Sequence, residues 1–158
     1  MFAIFVAMMA VSFAFAIWKG GAPERLCAWV ILLMAVAQYV GFALIGRVFK
    51  TLDVVSLSVD LIGLVGMTAI ALHANRTWPL WTSAMQLLSC ASHLGRDISD
   101  RVEPLVYSIL KSAPTFLVFL ILMIGTAMHQ LRLRKLGQDT DWVGSVPLGD
   151  WHQRIPGS

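Results

Sequence analysis

The stretch HANRTWPLWTSAMQLLSCASHLGRDISDR, residues 73–101, decides how this chain folds. It gathers His73, Asn75, Arg76, Thr82, Gln86, Ser89, Cys90, His93, Arg96 and Asp97 in a chain that is otherwise mostly apolar. Pro79 follows Trp78, and a proline pushes the residue before it towards extended backbone, so a helix arriving from the left stops here. Between residues 79 and 95, Thr82, Gln86, Ser89 and His93 recur at i, i+4, i+7 and i+11, with Cys90 beside them. That spacing is one polar stripe on a helix. Such a helix either crosses a bilayer with its stripe turned to other helices, or lies on the membrane surface. A surface helix usually carries Lys and Arg on its polar face. Residues 79–95 contain neither, so crossing is the expectation.

Composition supports a membrane setting. Of 158 residues 58% are hydrophobic and 13% charged, with a mean hydropathy of +0.74. Soluble domains carry about 25% charged residues. The net charge is +3 and the pI about 9.2, but the basic residues sit near the ends of apolar runs, where membrane orientation requires them. No basic run is interleaved with aromatics, so nucleic acid is not an expected partner. Cys27 and Cys90 lie inside apolar runs and read as packing thiols rather than a disulfide or metal framework.

The predicted fold is an all-α integral membrane bundle of five transmembrane helices, over residues 2–18, 26–46, 54–74, 79–95 and 105–129. The alternative is four spans plus one amphipathic interfacial helix. Residues 1–130 form the membrane domain, and 131–158 a soluble cytoplasmic tail that is either flexible or docked on the bundle or a partner. Ala14-Phe15-Ala16 resembles a signal-peptide cleavage triplet, but Lys19 and Arg25 follow the first run instead of preceding it. That favours a retained helix with its N-terminus outside. Ala3, Ala7, Ala10 and Ala14 share one face of it, for packing inside the bundle or for self-association. Residues 20–25 read as a turn, Gln38 as a hydrogen bond between helices, and Pro114 as a tolerated proline within the last span.

Five spans place Lys19, Arg25, Arg76, Arg132, Arg134, Lys135 and Arg154 inside, seven cations against Arg47, Lys50, Arg96 and Arg101 outside. Four spans give six against five. The positive-inside rule prefers five spans. Asp60 and Lys111 each lie six residues past the start of a span entering from the outer side. Both are then about 9 Å deep and able to pair. His93 falls in the same half.

Three chemistries follow. Asp60, His93, Lys111 and Gln86 are candidates for an outward-facing polar pocket in a small ion or proton transporter. His73 and His129, at inner helix ends, are weak candidates for haem ligands. Ser89, His93 and Asp97 share a helical face, the spacing of a nucleophile, a base and an orienting acid in a membrane-embedded enzyme. No Gly-x-Ser-x-Gly, His-Glu-x-x-His or phosphate-loop motif accompanies them. The expectation is therefore a non-catalytic accessory or scaffold subunit of a cell membrane, the bacterial inner membrane. It packs with itself or a larger membrane complex and needs no cofactor.

Overall fold

The computed structural model describes the backbone of residues 2–45, 54–98, 104–136 and 142, and their side chains except those of residues 2, 45, 94–98, 104–112 and 136. These residues form five helices: α1 (Phe2–Lys19), α2 (Ala22–Ile45), α3 (Val54–His73), α4 (Trp78–Ile98) and α5 (Pro104–Leu136). Three are long and apolar enough to cross a membrane, over Ala22–Leu44, Val54–His73 and Ala113–Lys135. The sequence predicts five such helices; α1 and α4 differ from the other three for separate reasons. α1 is apolar but short, and α4 carries the polar stripe.

The helices form a ring. α1 packs on α2 and α5, α3 on α2 and α4, and α4 on α5, while α2 and α5 also meet. Helices consecutive in the chain alternate in direction, and α5 runs parallel to α1 where the ring closes. The α1–α2 turn, the α3–α4 link and the far end of α5 lie at one end of the bundle, joined by Arg76 to Glu24 and His129 and by Gln130 to the Lys19 carbonyl. α4 is thus a full member of the ring, antiparallel to α3, and its stripe faces inward: Thr82, Gln86, Ser89 and His93 are all buried.

Several boundaries move. α2 begins at Ala22, not residue 26, which leaves only Gly20 and Gly21 between α1 and α2. Pro23 suits the first turn of a helix, whose N–H groups need no partner within it. α5 continues through the basic collar to Leu136, so the first six residues assigned to the tail are helical. α5 is about 50 Å long at the α-helical rise, longer than a hydrocarbon core of about 30 Å. Beyond it, Trp142 makes a single antiparallel backbone pairing with Ala74 and packs against the core. Trp142 thus meets the α3–α4 link at Ala74.

The core is filled by Ala16, Cys27, Ala28, Ile31, Met67, Ile70, Trp78, Val118, Phe119 and Leu122. Small residues on α1 and α2 bring these helices close, and aromatic edges fill what remains: Phe5 packs at 5.8 Å on Phe116 and 5.3 Å on Phe119. Outward faces are apolar, as lipid requires, with Trp29, Leu33, Val36, Tyr39 and Leu44 exposed on α2. Several glycines leave no room for a Cβ, and Gly125 is the one set against a rigid aromatic ring. A Cβ on Gly125 of α5 would lie 2.8–3.0 Å from the ring atoms of Trp78.

Gly125→Ala tests this seat. Alanine favours a helix over glycine by about 1 kcal/mol. Overpacking a core costs about 1–3 kcal/mol, and the rigid indole has no flexible end to move aside. A net loss of thermal stability in detergent micelles is expected. A gain would show that Trp78 is not held against α5.

Candidate functional site

Among the described residues, two clusters of ionisable groups lie inside the ring, at opposite ends. The first is built on the short α3–α4 link. Arg76 is buried, and its Nη1 donates to Glu24 Oε1 while its Nη2 lies 3.0 Å from His129 Nδ1. An arginine only donates, so His129 accepts at Nδ1 and, as a neutral ring, carries its proton on Nε2. Glu24 is fully buried in the first turn of α2, where a helix N-terminus also favours an anion. One guanidinium therefore ties the link to α2 and α5. Both charges are buried, so each depends on the other being in place; Glu24 Oε2 is buried with no hydrogen-bond partner among the described residues.

The second cluster is centred on Asp60, seven residues into α3. α4 supplies three donors. Gln86 Nε2 lies 3.0 Å from Oδ1 and 3.2 Å from the Asp60 carbonyl oxygen, Ser89 Oγ donates to Oδ2 at 2.7 Å, and His93 Nε2 lies 3.0 Å from the same oxygen. Gln86, Ser89 and His93 fall at i, i+3 and i+7, one helical face, so one acceptor on α3 can reach all three. Gly63, one turn after Asp60, opens the approach: a Cβ there would sit 3.2 Å from Gln86 Cδ and run into the end of Met34. Thr82, on the same stripe, is satisfied locally, donating to the Pro79 carbonyl at 2.8 Å.

The structure thus joins Asp60, Gln86 and His93, three of the four residues predicted for one pocket. Lys111, the fourth, has its side chain outside the described residues, and so does its pairing with Asp60. The side chain of Asp97, the orienting acid of the enzyme reading, also lies outside them. Ser89, His93 and Asp60 supply the residue types of a hydrolase triad in another order. The carboxylate takes the middle place and holds both Ser89 and His93, whereas nucleophile activation needs the histidine between serine and acid. The two haem candidates have different partners. His73 is exposed and its Nδ1 bonds the Ala69 carbonyl at 2.8 Å; His129 is buried against Arg76. Ligation through His129 Nε2 would require the Arg76 bond to be given up, because that nitrogen bears the proton.

Sequence reasoning passed over Glu24, which it placed in a turn, and treated Arg76 only as a loop cation. The signal was there in Pro23-Glu24: an acid directly after a helix-initiating proline belongs to the first turn. Gln38 behaves as expected, with Nε2 donating to Ser56 Oγ at 2.9 Å between α2 and α3.

Removing one member of the Arg76 clamp should cost far more than removing the pair. Arg76→Ala strands Glu24 and is expected to lose about 3–5 kcal/mol, whereas Arg76→Met with Glu24→Gln recovers most of it. Unfolding titrations in mixed micelles measure this; equal losses in single and double variants would mean that the pair is not a clamp. Comparison with known protein families, curated proteins and solved structures returned no match, so the functional reading rests on this chain's own residues.

Proposed function

We propose that this chain is a five-span, non-catalytic membrane protein that serves as an accessory or scaffold subunit, associating through the outward face of α1 with itself or a larger membrane complex. The observation that carries the reading is the direction of that face. Ala3, Ala7, Ala10 and Ala14 are all exposed, while Phe5, Met8, Met9 and Phe13 of the same helix pack against the core. Alanines serving only the bundle's own packing would point the other way. Their spacing of four, three and four residues keeps one seam along a helix, and small side chains let helix backbones approach closely in lipid, where van der Waals contact drives association.

Support for five crossings comes from α4. It is antiparallel between α3 and α5, and its 21 residues span about 31 Å, close to a hydrocarbon core of about 30 Å. Its polar face has partners on α3, which lowers the barrier to placing it in lipid. Charge balance orients the N-terminus outside and the end of α5 in the cytoplasm, and the reading places the chain in a bacterial inner membrane.

Two measurements test the reading. A photoreactive probe on Ala10→Cys, in a Cys27→Ala, Cys90→Ala background, should give a dimer or one discrete heavier adduct in native membranes. The same probe on Leu33→Cys, exposed on α2, should not. Identical patterns at both sites would remove α1 as an association face. Thr77→Cys in that background, exposed beside the buried Arg76, should resist an impermeant thiol reagent in intact cells and react after lysis. Reaction in intact cells, with a cytoplasmic tail reporter, would reduce the count to four spans.

A further inference from the structure

We infer that Asp60 and His93 form a proton-binding site between α3 and α4, independent of the association face on α1. The two ionisable clusters differ in the cation that answers the acid. Glu24 faces a guanidinium, which stays charged at every physiological pH. Asp60 faces an imidazole at 3.0 Å, its only ion-pair partner among the described residues, and imidazole is the side chain that changes charge near neutral pH. The first cluster is therefore fixed in charge and the second is switchable.

The donor pattern places the proton. Gln86, Ser89 and His93 all direct donors at Asp60, an arrangement that suits an ionised carboxylate. His93 donates through Nε2–H in both states. The proton that comes and goes is the one on Nδ1. Uptake from the aqueous phase converts Asp60 carboxylate and neutral His93 into carboxylate and imidazolium, and the net charge of the pair moves from −1 to 0. The loaded state is neutral overall and suits apolar surroundings; the unloaded state leaves one net charge there, which lipid resists. A metal ion fits this site less well, because no third His, Cys, Asp or Glu joins Asp60 and His93 in a metal-holding group among the described residues. The His93 side chain is 2% exposed and that of Asp60 15%, so the carboxylate forms the outer edge of the site.

Among the described residues the surroundings add little charge of their own. On α4, Cys90 is the other titratable side chain near Asp60 among them; the side chains of Arg96 and Asp97, three and four residues after His93, lie outside the described residues. α2 faces it with uncharged Gln38 and Met34, its Glu24 and Arg25 lying at the opposite end. α5, which packs on α4, has His129, Arg132, Arg134 and Lys135 at that opposite end as well, and the Lys111 side chain lies outside the described residues.

Histidine-selective ¹⁵N NMR of the full chain in lipid nanodiscs reads the site directly, with His93→Gln assigning the resonance. In the natural chain, His93 is expected to pass from neutral to imidazolium as the pH is lowered. Asp60→Glu, which keeps the charge, should retain the transition, and Asp60→Asn should leave His93 neutral over the same titration. A His93 that stays neutral at low pH in the natural chain overturns the inference without any variant. So does a transition unchanged in Asp60→Asn.

Discussion

Lipid tails are as apolar as leucine, so burying apolar surface gives one membrane helix little reason to prefer a particular neighbour. What distinguishes neighbours in this bundle is the demand of a few polar groups that have no water to turn to. Arg76 must lie where Glu24 and His129 are, and Asp60 must lie where Gln86, Ser89 and His93 are. Those two requirements fix the register of α4 on α3 at one end and the meeting of α2, α5 and the α3–α4 link at the other. The apolar packing of Met67, Trp78 and Phe119 then fits a frame already set by hydrogen bonds.

The two clamps divide the labour between them. A guanidinium against a carboxylate is insensitive to pH, which suits a permanent fastening at the end where three connections converge. An imidazole against a carboxylate responds to pH, and it stands at the end of α3 far from those connections. The pair proposed to change charge therefore lies away from the fastening that closes the ring.

Much of this was legible in the chain. The stripe of Gln86, Ser89 and His93 can be read from periodicity, and Asp60 from being an acid inside an apolar run, because a polar group buried in lipid has to find a partner. Depth counting along the helices brings Asp60 and His93 to the same half of the bundle, and the structure puts them in contact. Glu24 was harder. Pro23 marks a helix start there, but the neighbouring Gly20 and Gly21 have the composition of a turn, and the contact that buries Glu24, with Arg76, is tertiary. The outward turn of the α1 alanines was not legible either. Periodicity defines a face but not its direction, and the larger Phe5, Met8 and Phe13 opposite them win the interior.

The Asp60 cluster also bears on how the protein is made. α4 is polar enough along one side to enter lipid poorly alone, and every cross-helix donor on that side is answered by a residue of α3, the helix synthesised just before it. Only Ala74 to Thr77 connect the two, with Arg76 among them. If both cross, they are suited to enter the membrane together as a hairpin, with the carboxylate already in place when the donors arrive. α5, which brings His129 and closes the ring against α1, comes last. Order of synthesis and order of polar satisfaction then coincide.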